Sequence, residues 1–165
     1  RMRILIQSRE WIRLTPALSR RLLQQDNETR ALRIVYSMHE AAGPIGYATC
    51  YAVGKTAERL ERTAALGDWH TFLSSAGVRP IRSTLTIGAS IAESHDAEIA
   101  DFVVGQAIFT IEHQVSVAVQ PGIGLLTTIR TRADRSTILS VMDVMPDNAP
   151  SPSGFLRRFK LRSTM

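Results

Sequence analysis

The chain has 165 residues, a formal net charge of +5, 44% hydrophobic residues and a mean hydropathy of −0.02. That is enough for one domain with a hydrophobic core, too little for two full domains, and ordinary for a soluble protein. No apolar run approaches the roughly 20 residues of a membrane helix, and too few apolar residues follow Arg1–Arg3 for a secretory signal. The single cysteine, Cys50, excludes an internal disulfide, and four scattered histidines (His39, His70, His95, His113) offer no zinc-ligand spacing. A reducing cytoplasm is the expected setting, with no metal and no cofactor implied.

The charge is unevenly placed. Of the 20 basic and 15 acidic residues, Arg157, Arg158, Lys160, Arg162 and Asp147 fall within 146–165, so the first 145 residues carry 16 and 14. A body this close to neutral lacks the basic stripe of a DNA-binding domain.

Residues 3–13 alternate loosely and predict a first strand. Thr15-Pro16 forms an N-cap with proline at the first helical position, opening a short helix through Leu18, Leu22 and Leu23 that Asp26-Asn27 breaks. Residues 31–40 place Leu32, Ile34, Tyr36 and Met38 on one face at period two, and Ala42-Gly43-Pro44 turns the chain into a strand over 45–53, completing a hairpin. A helix follows over 55–66, with Glu58 and Arg62 at i,i+4. Gly67 ends it, and Asp68 caps the next helix, 69–76, which Gly77 stops. A long strand over 80–93 carries Ile81, Ser83, Leu85, Ile87 and Ala89 on one side. A helix over 94–103 then leads to strands at 107–119, 124–132 and 136–144. The order β-α-β-β-α-α-β-α-β-β-β, rich in hairpins, predicts an α+β domain with a mainly antiparallel sheet and packed helices. From Pro146 onward, three prolines, serines and a glycine precede FLRRFKLR, so 146–165 is expected to be a linker and basic tail outside the 1–145 domain.

The chemical templates fail. The sequence holds no GxSxG elbow, Walker loop, GxGxxG, HExxH or CxxC, and Gly122-Ile123-Gly124 precedes a strand where a nucleotide site would need a helix. Cys50, inside a strand, is expected to act as a small buried hydrophobe. Glu93, Asp96, Glu98 and Asp101 cluster at a helix start, where dipole complementarity accounts for them. The charges from Arg130 to Arg135 suit ion pairs at a turn.

Four segments, in this order and spacing, carry a resemblance: 31–40 with Gly43-Pro44, Gly67–Leu73, Ala97–His113, and Thr131–Arg135 with its TRAD run. Together they resemble the UTRA domain, the effector-binding half of the HutC branch of GntR-type transcription regulators, which has the chorismate-lyase fold; the TRAD run looks most like regulators of phosphonate operons. The resemblance covers about residues 5–144. It implies a homodimeric sensor whose small-molecule effector modulates DNA binding by a separate winged-helix domain, with no enzymatic activity and no contact with membranes. It also implies a pocket between the sheet and the crossover helices. Relatives that bind phosphorylated sugars place two arginines, a serine, a glutamate and a tyrosine at positions that fall here on Tyr36 and Met38, Asp68, Leu125 and Thr131. His70, in the same short helix as Asp68's cap, is counted with them. The substitutions imply an effector that is less anionic and more apolar than a phosphosugar. Two alternatives stand beside this one: a chorismate-lyase-like enzyme, disfavoured because Arg33 and Arg82 alternate away from the apolar faces of their strands, and a ligand-free dimerisation scaffold with a filled core.

Overall fold

The computed structural model describes residues 2–22, 30–64, 67–139 and 160–162. The first strand, β1 (Arg3–Arg13), leads into helix α1 (Pro16–Arg21), where Thr15 accepts a hydrogen bond from the Leu18 N–H at 3.2 Å and Pro16 fills the first turn. The Asp26-Asn27 break lies outside the described residues. Strands β2 (Arg30–Glu40) and β3 (Gly43–Ala52) form the expected hairpin. Helix α2 (Gly54–Arg62) ends where Thr63 turns extended, earlier than the helical pattern alone suggests; residues 65 and 66 lie outside the described set. Asp68 caps α3 (Trp69–Ser75) by accepting from the Thr71 N–H at 2.8 Å.

Strand β4 (Pro80–Ile91) and helix α4 (Ser94–Ala100) follow. The helix stops three residues short of expectation because Asp101 adopts a left-handed conformation, φ 39°. Strands β5 (Ala107–Val117) and β6 (Ile123–Arg132) make the second hairpin, and β7 (Thr137–Leu139) is the described part of the last expected strand. Within the segment expected to be a tail, Lys160–Arg162 form a short strand, β8, that pairs antiparallel with β7 in a two-stranded sheet of its own.

The main sheet has the order β1-β2-β3-β6-β5-β4 and is antiparallel throughout. The chain leaves β3, passes through α2 and α3 to the far edge, and returns through β5 and β6 to the middle. The seam at β3–β6 is close. A Cβ on Gly46 would lie 2.3 Å from the Arg130 carbonyl oxygen and 2.9 Å from Thr131 Cα, so no larger residue fits there.

Cross-strand partners point to the same side of a sheet, which defines two faces. On the first, Ile34, Tyr36, Met38, Ala48, Cys50, Val115 and Leu125 join Ala57 and Leu60 of α2 and Trp69, Phe72 and Leu73 of α3 in the main core. Cys50 is fully buried there and burial pushes its thiol up to about 12, as suits a packing residue. Arg9 enters the same face and donates to three carbonyls at the end of α2, those of Leu60, Glu61 and Thr63, at 3.2, 3.1 and 2.8 Å. Its guanidinium also lies 5.3 Å from the Phe72 ring centre. A cation holding terminal carbonyls while stacking on an aromatic ties β1 to both covering helices.

Among the described residues, the second face is covered at its two ends. Leu18 and Leu22, in and just after α1, pack on Ala31, Val53 and Leu126. Ala100 of α4, with Phe102 just beyond it, packs on Tyr47 and Ile108. β4 departs from what its pattern suggests: the strand is where the alternation puts it, but at the sheet edge. Its apolar residues Ile81, Ile87 and Ile91 remain 69%, 45% and 61% exposed.

Candidate functional site

The helix-covered face receives the residues singled out from the sequence, in very different settings. Tyr36 is buried and stacks on Trp69, ring centres 4.7 Å apart and planes 15° from parallel; burial, and then Cys50, pushes its phenol well above the usual range. Met38 is buried against the backbone space left by Gly46, and Leu125 lies inside the main core. Thr131 is buried too, its hydroxyl donating to the Ile45 carbonyl at 2.9 Å and lying 2.7 Å from the Ser136 hydroxyl. Asp68 is committed to the α3 cap, and His70 is exposed one turn position further on. Strand geometry separates some of these residues. Leu125 and Thr131 stand six positions apart on β6, about 20 Å at a rise of roughly 3.3 Å per residue, so one small ligand does not span both. Tyr36, Met38 and Thr131 lie in adjacent rows near the start of α3.

Beside them, over β4 and β5, the same face carries a polar group that belongs to no sequence motif. His113 Nε2 is hydrogen-bonded to the Ser83 hydroxyl across the β4–β5 pair. Burial pulls the His113 imidazole down to about 4, and the neighbouring His70 adds to the effect. His113 is therefore neutral at physiological pH and can exchange hydrogen bonds, while His70 stands at the solvent side. The signal was present in the alternation. His113 and Ser83 are the polar positions among Phe109, Ile111 and Val115, and among Ile81, Leu85 and Ile87, and polar residues at core parity ask for partners.

The opposite face is polar in its middle. Between the parts covered by α1 and α4 lies a cleft of about 320 Å³, lined by Gln7, Ser8, Arg33, Val35 and Thr49 from the strands and His95, Glu98 and Ile99 from α4. One wall is fixed by Asp96. This buried carboxylate accepts from Tyr47 Oη at 2.7 Å, lies 2.7 Å from Arg130 Nε, accepts from Arg130 Nη2 at 3.1 Å, and reaches back to the Glu93 N–H at 2.7 Å. It does more than complement the helix dipole, because it pins α4 to β3 and β6. Arg132 and Asp134 form the expected ion pair at the following turn, at 3.1 and 2.7 Å. Arg33 and Arg82 both belong to this second face by register, as their alternation implies.

Among the described residues, no cluster of three or more His, Cys, Asp or Glu side chains is arranged to hold a metal, and no helix is long and apolar enough to cross a membrane.

This topology, with two crossover helices over one half of a six-stranded sheet, is that of the effector domains of GntR-family transcription regulators, the UTRA-type fold that the sequence resembles. The effector domain of PhnF from Mycobacterium smegmatis superposes with a TM-score of 0.74 at 14% identity, covering 87% of this chain and 88% of that one. The C-terminal domain of the histidine utilization repressor from Pseudomonas syringae pv. tomato str. DC3000 gives 0.71 at 11% identity, covering 87% and 100%. PhnF as a longer chain gives 0.75 at 14% identity, with 87% of this chain covering 64% of it. At the level of sequence, no family profile and no curated protein match. The likeness is one of fold.

Proposed function

We propose that this chain is the effector-sensing and dimerisation domain of a GntR-type, HutC-branch transcription regulator of the cytoplasm, and that it is not an enzyme. In this reading a small molecule binds on the helix-covered face near Tyr36, Met38, Asp68, His70 and Thr131, with Leu125 supporting the core behind them. Binding shifts the arrangement of a winged-helix domain that contacts DNA. The observation that carries the reading is the superposition of 87% of the chain on regulator effector domains.

The site's chemistry narrows the ligand. Arg9, the arginine in the strand row next to Tyr36, has its guanidinium taken by three carbonyls. Asp68 occupies the α3 N-terminus with its own carboxylate. Neither is free to neutralise a phosphate, and a doubly charged group buried there without compensation would cost several kcal/mol. The effector is therefore uncharged or weakly charged, with an apolar part for Met38 and hydrogen-bonding groups for His70 and His113. Calorimetric titration with glucosamine 6-phosphate, trehalose 6-phosphate and a simple alkylphosphonate is expected to show no micromolar binding. Micromolar phosphosugar binding that survives Arg33→Ala and Arg82→Ala but is lost in Tyr36→Ala would overturn this account of the pocket.

The alternative enzyme, a chorismate lyase, needs arginines that grip carboxylates on the face where the substrate lies. Arg33 and Arg82 sit on the opposite face from Tyr36. Incubation of the protein with chorismate is expected to release no pyruvate above the uncatalysed background; release abolished by Arg82→Ala would reverse the assignment.

A further inference from the structure

The polar cleft on the second face is separated from the proposed effector site by the thickness of the sheet, and it has the composition of a binding site in its own right. Its floor is the middle of β1, β2 and β3, where Ser8, Val35 and Thr49 share one cross-strand row and Arg33 stands in the next. The break in register between Ile6 and Ser8 places Gln7 at the rim, its side-chain amide donating to the Ser37 hydroxyl at 2.9 Å. The wall is α4, held in place by the buried Asp96 network, with His95, Glu98 and Ile99 turned toward the floor.

Arg33 singles this cleft out. Its Nη1 lies 3.3 Å from Glu10 Oε1 on the exposed rim, yet its Nε is buried and finds no hydrogen-bond partner among the described residues. A buried donor on a charged group is costly to leave unmade, and guanidinium groups at such positions are suited to carboxylates. The same cleft is lined by a carboxylate, Glu98, by the Thr49 and Ser8 hydroxyls, and by Val35 and Ile99 as apolar contacts. A cation and an anion lining one cleft of about 320 Å³ fit a small molecule that carries both an acceptor and donors.

We propose that this cleft is a second ligand site, independent of the effector face, for a small carboxylic acid that also bears amino or hydroxyl groups: an amino acid or a sugar acid. The carboxylate pairs with the half-exposed guanidinium of Arg33 and the donor groups meet Glu98 and Thr49. The probes are L-glutamine and D-gluconate, with D-glucose and acetate as controls that each lack one half of the pattern. Calorimetry and amide chemical-shift mapping on the same chain provide the two readouts. At least one of the two acids is expected to bind, with shifts centred on Val35, Thr49 and Ile99, and with both controls weaker by about tenfold or more. Arg33→Gln is expected to weaken that acid at least about tenfold, whereas His70→Ala leaves it unchanged. Glu98→Gln, at a solvent-accessible position of α4 that lines the cleft, is expected to weaken glutamine more than gluconate. The proposal fails if neither acid binds at millimolar concentration, if Arg33→Gln binds as the unmodified chain does, or if the shifts centre on Tyr36 and His113. In the last case the acid would be an effector of the other face.

Discussion

Strands β2 and β4 look alike in sequence and have opposite fates in the fold. Each is a long strand with large, mostly apolar residues on one parity: Leu32, Ile34, Tyr36 and Met38 in β2, Ile81, Leu85, Ile87 and Ile91 in β4. In β2 those residues are buried beneath α2 and α3, while in β4 Leu85 is half-buried and Ile81, Ile87 and Ile91 face solvent at the sheet edge. Alternation reports which side of a strand is apolar. It does not report whether anything covers that side, because cover is decided by where the strand falls in the sheet and how far the helices reach. Here the crossover helices cover the sheet from β2 across to β6, reach Val115 of β5, and leave Ile81, Ile87 and Ile91 of β4 bare.

The comparison can be broken most forcefully at β2. Tyr36→Ala removes a fully buried ring that stacks on Trp69, and is expected to cost about 3–5 kcal/mol in chemical denaturation, by analogy with large aromatic truncations in cores. A loss below about 1 kcal/mol would mean that the ring fills a cavity that collapses without strain, or a pocket already open to water.

His113, on β5 between the two strands, provides a smaller and pH-dependent effect. Its folded-state value of about 4 lies below the ordinary 6.5, so the unfolded chain binds a proton that the folded chain refuses between those values. The stability that the neutral imidazole allows is fully present above about pH 6.5 and is lost as pH falls toward 4, by on the order of 2 kcal/mol. Denaturation curves of His113→Gln should be flatter over that window than those of the unmodified protein; parallel curves would remove His113 as the cause.

The least effect on folding, and the sharpest on assembly, is expected at β4. Ile91→Lys on this exposed edge should change monomer stability by no more than about 0.5 kcal/mol. A long, weakly charged apolar edge is nevertheless a surface that proteins rarely leave bare, and in the homodimer proposed above it is the edge to be covered. Light scattering is expected to show a dimer for the unmodified chain at high micromolar concentration and a monomer for Ile91→Lys. A concentration-independent monomer in both cases would show that β4 is bare by design.

How much of this was legible in the sequence depended on how local each cause was. The caps of α1 and α3 were readable at Thr15 and Asp68 because the hydrogen bonds they make close within three residues. The two hairpins were readable for the same reason, each strand meeting its neighbour across a short turn. The early ends of α2 and α4 were not, since helical periodicity continues past Arg62 and Ala100 and only backbone conformation stops it. Nor were Arg9, Asp96 or Arg33 legible as site-forming residues, and for His113 the alternation marked a polar residue at core parity without naming its partner. Each takes its role from a partner far along the chain: the α2 carbonyls, Ser83, Arg130 and the cleft opposite α4. The resemblance singled out Tyr36, Met38, Leu125 and Thr131, and the register puts all four on one face, but correspondence of positions carries no information about distance along a strand, and Leu125 falls at the far end.

The seam between β3 and β6 has a consequence for how quickly the molecule can form. β1, β2 and β3 are neighbours both in sequence and in the sheet, and so are β4, β5 and β6; Ala52 and Leu125, at the seam, are far apart in the chain. Each three-stranded unit can assemble through short loops, whereas joining them requires closing the whole excursion through α2, α3 and β4 before any seam contact repays the lost chain entropy. Gly46 lies on that seam, where two backbones must approach without a side chain between them. The rate of folding is therefore expected to follow the docking of two preassembled halves, and a bulkier residue at position 46 to slow that docking far more than it slows the closing of either hairpin.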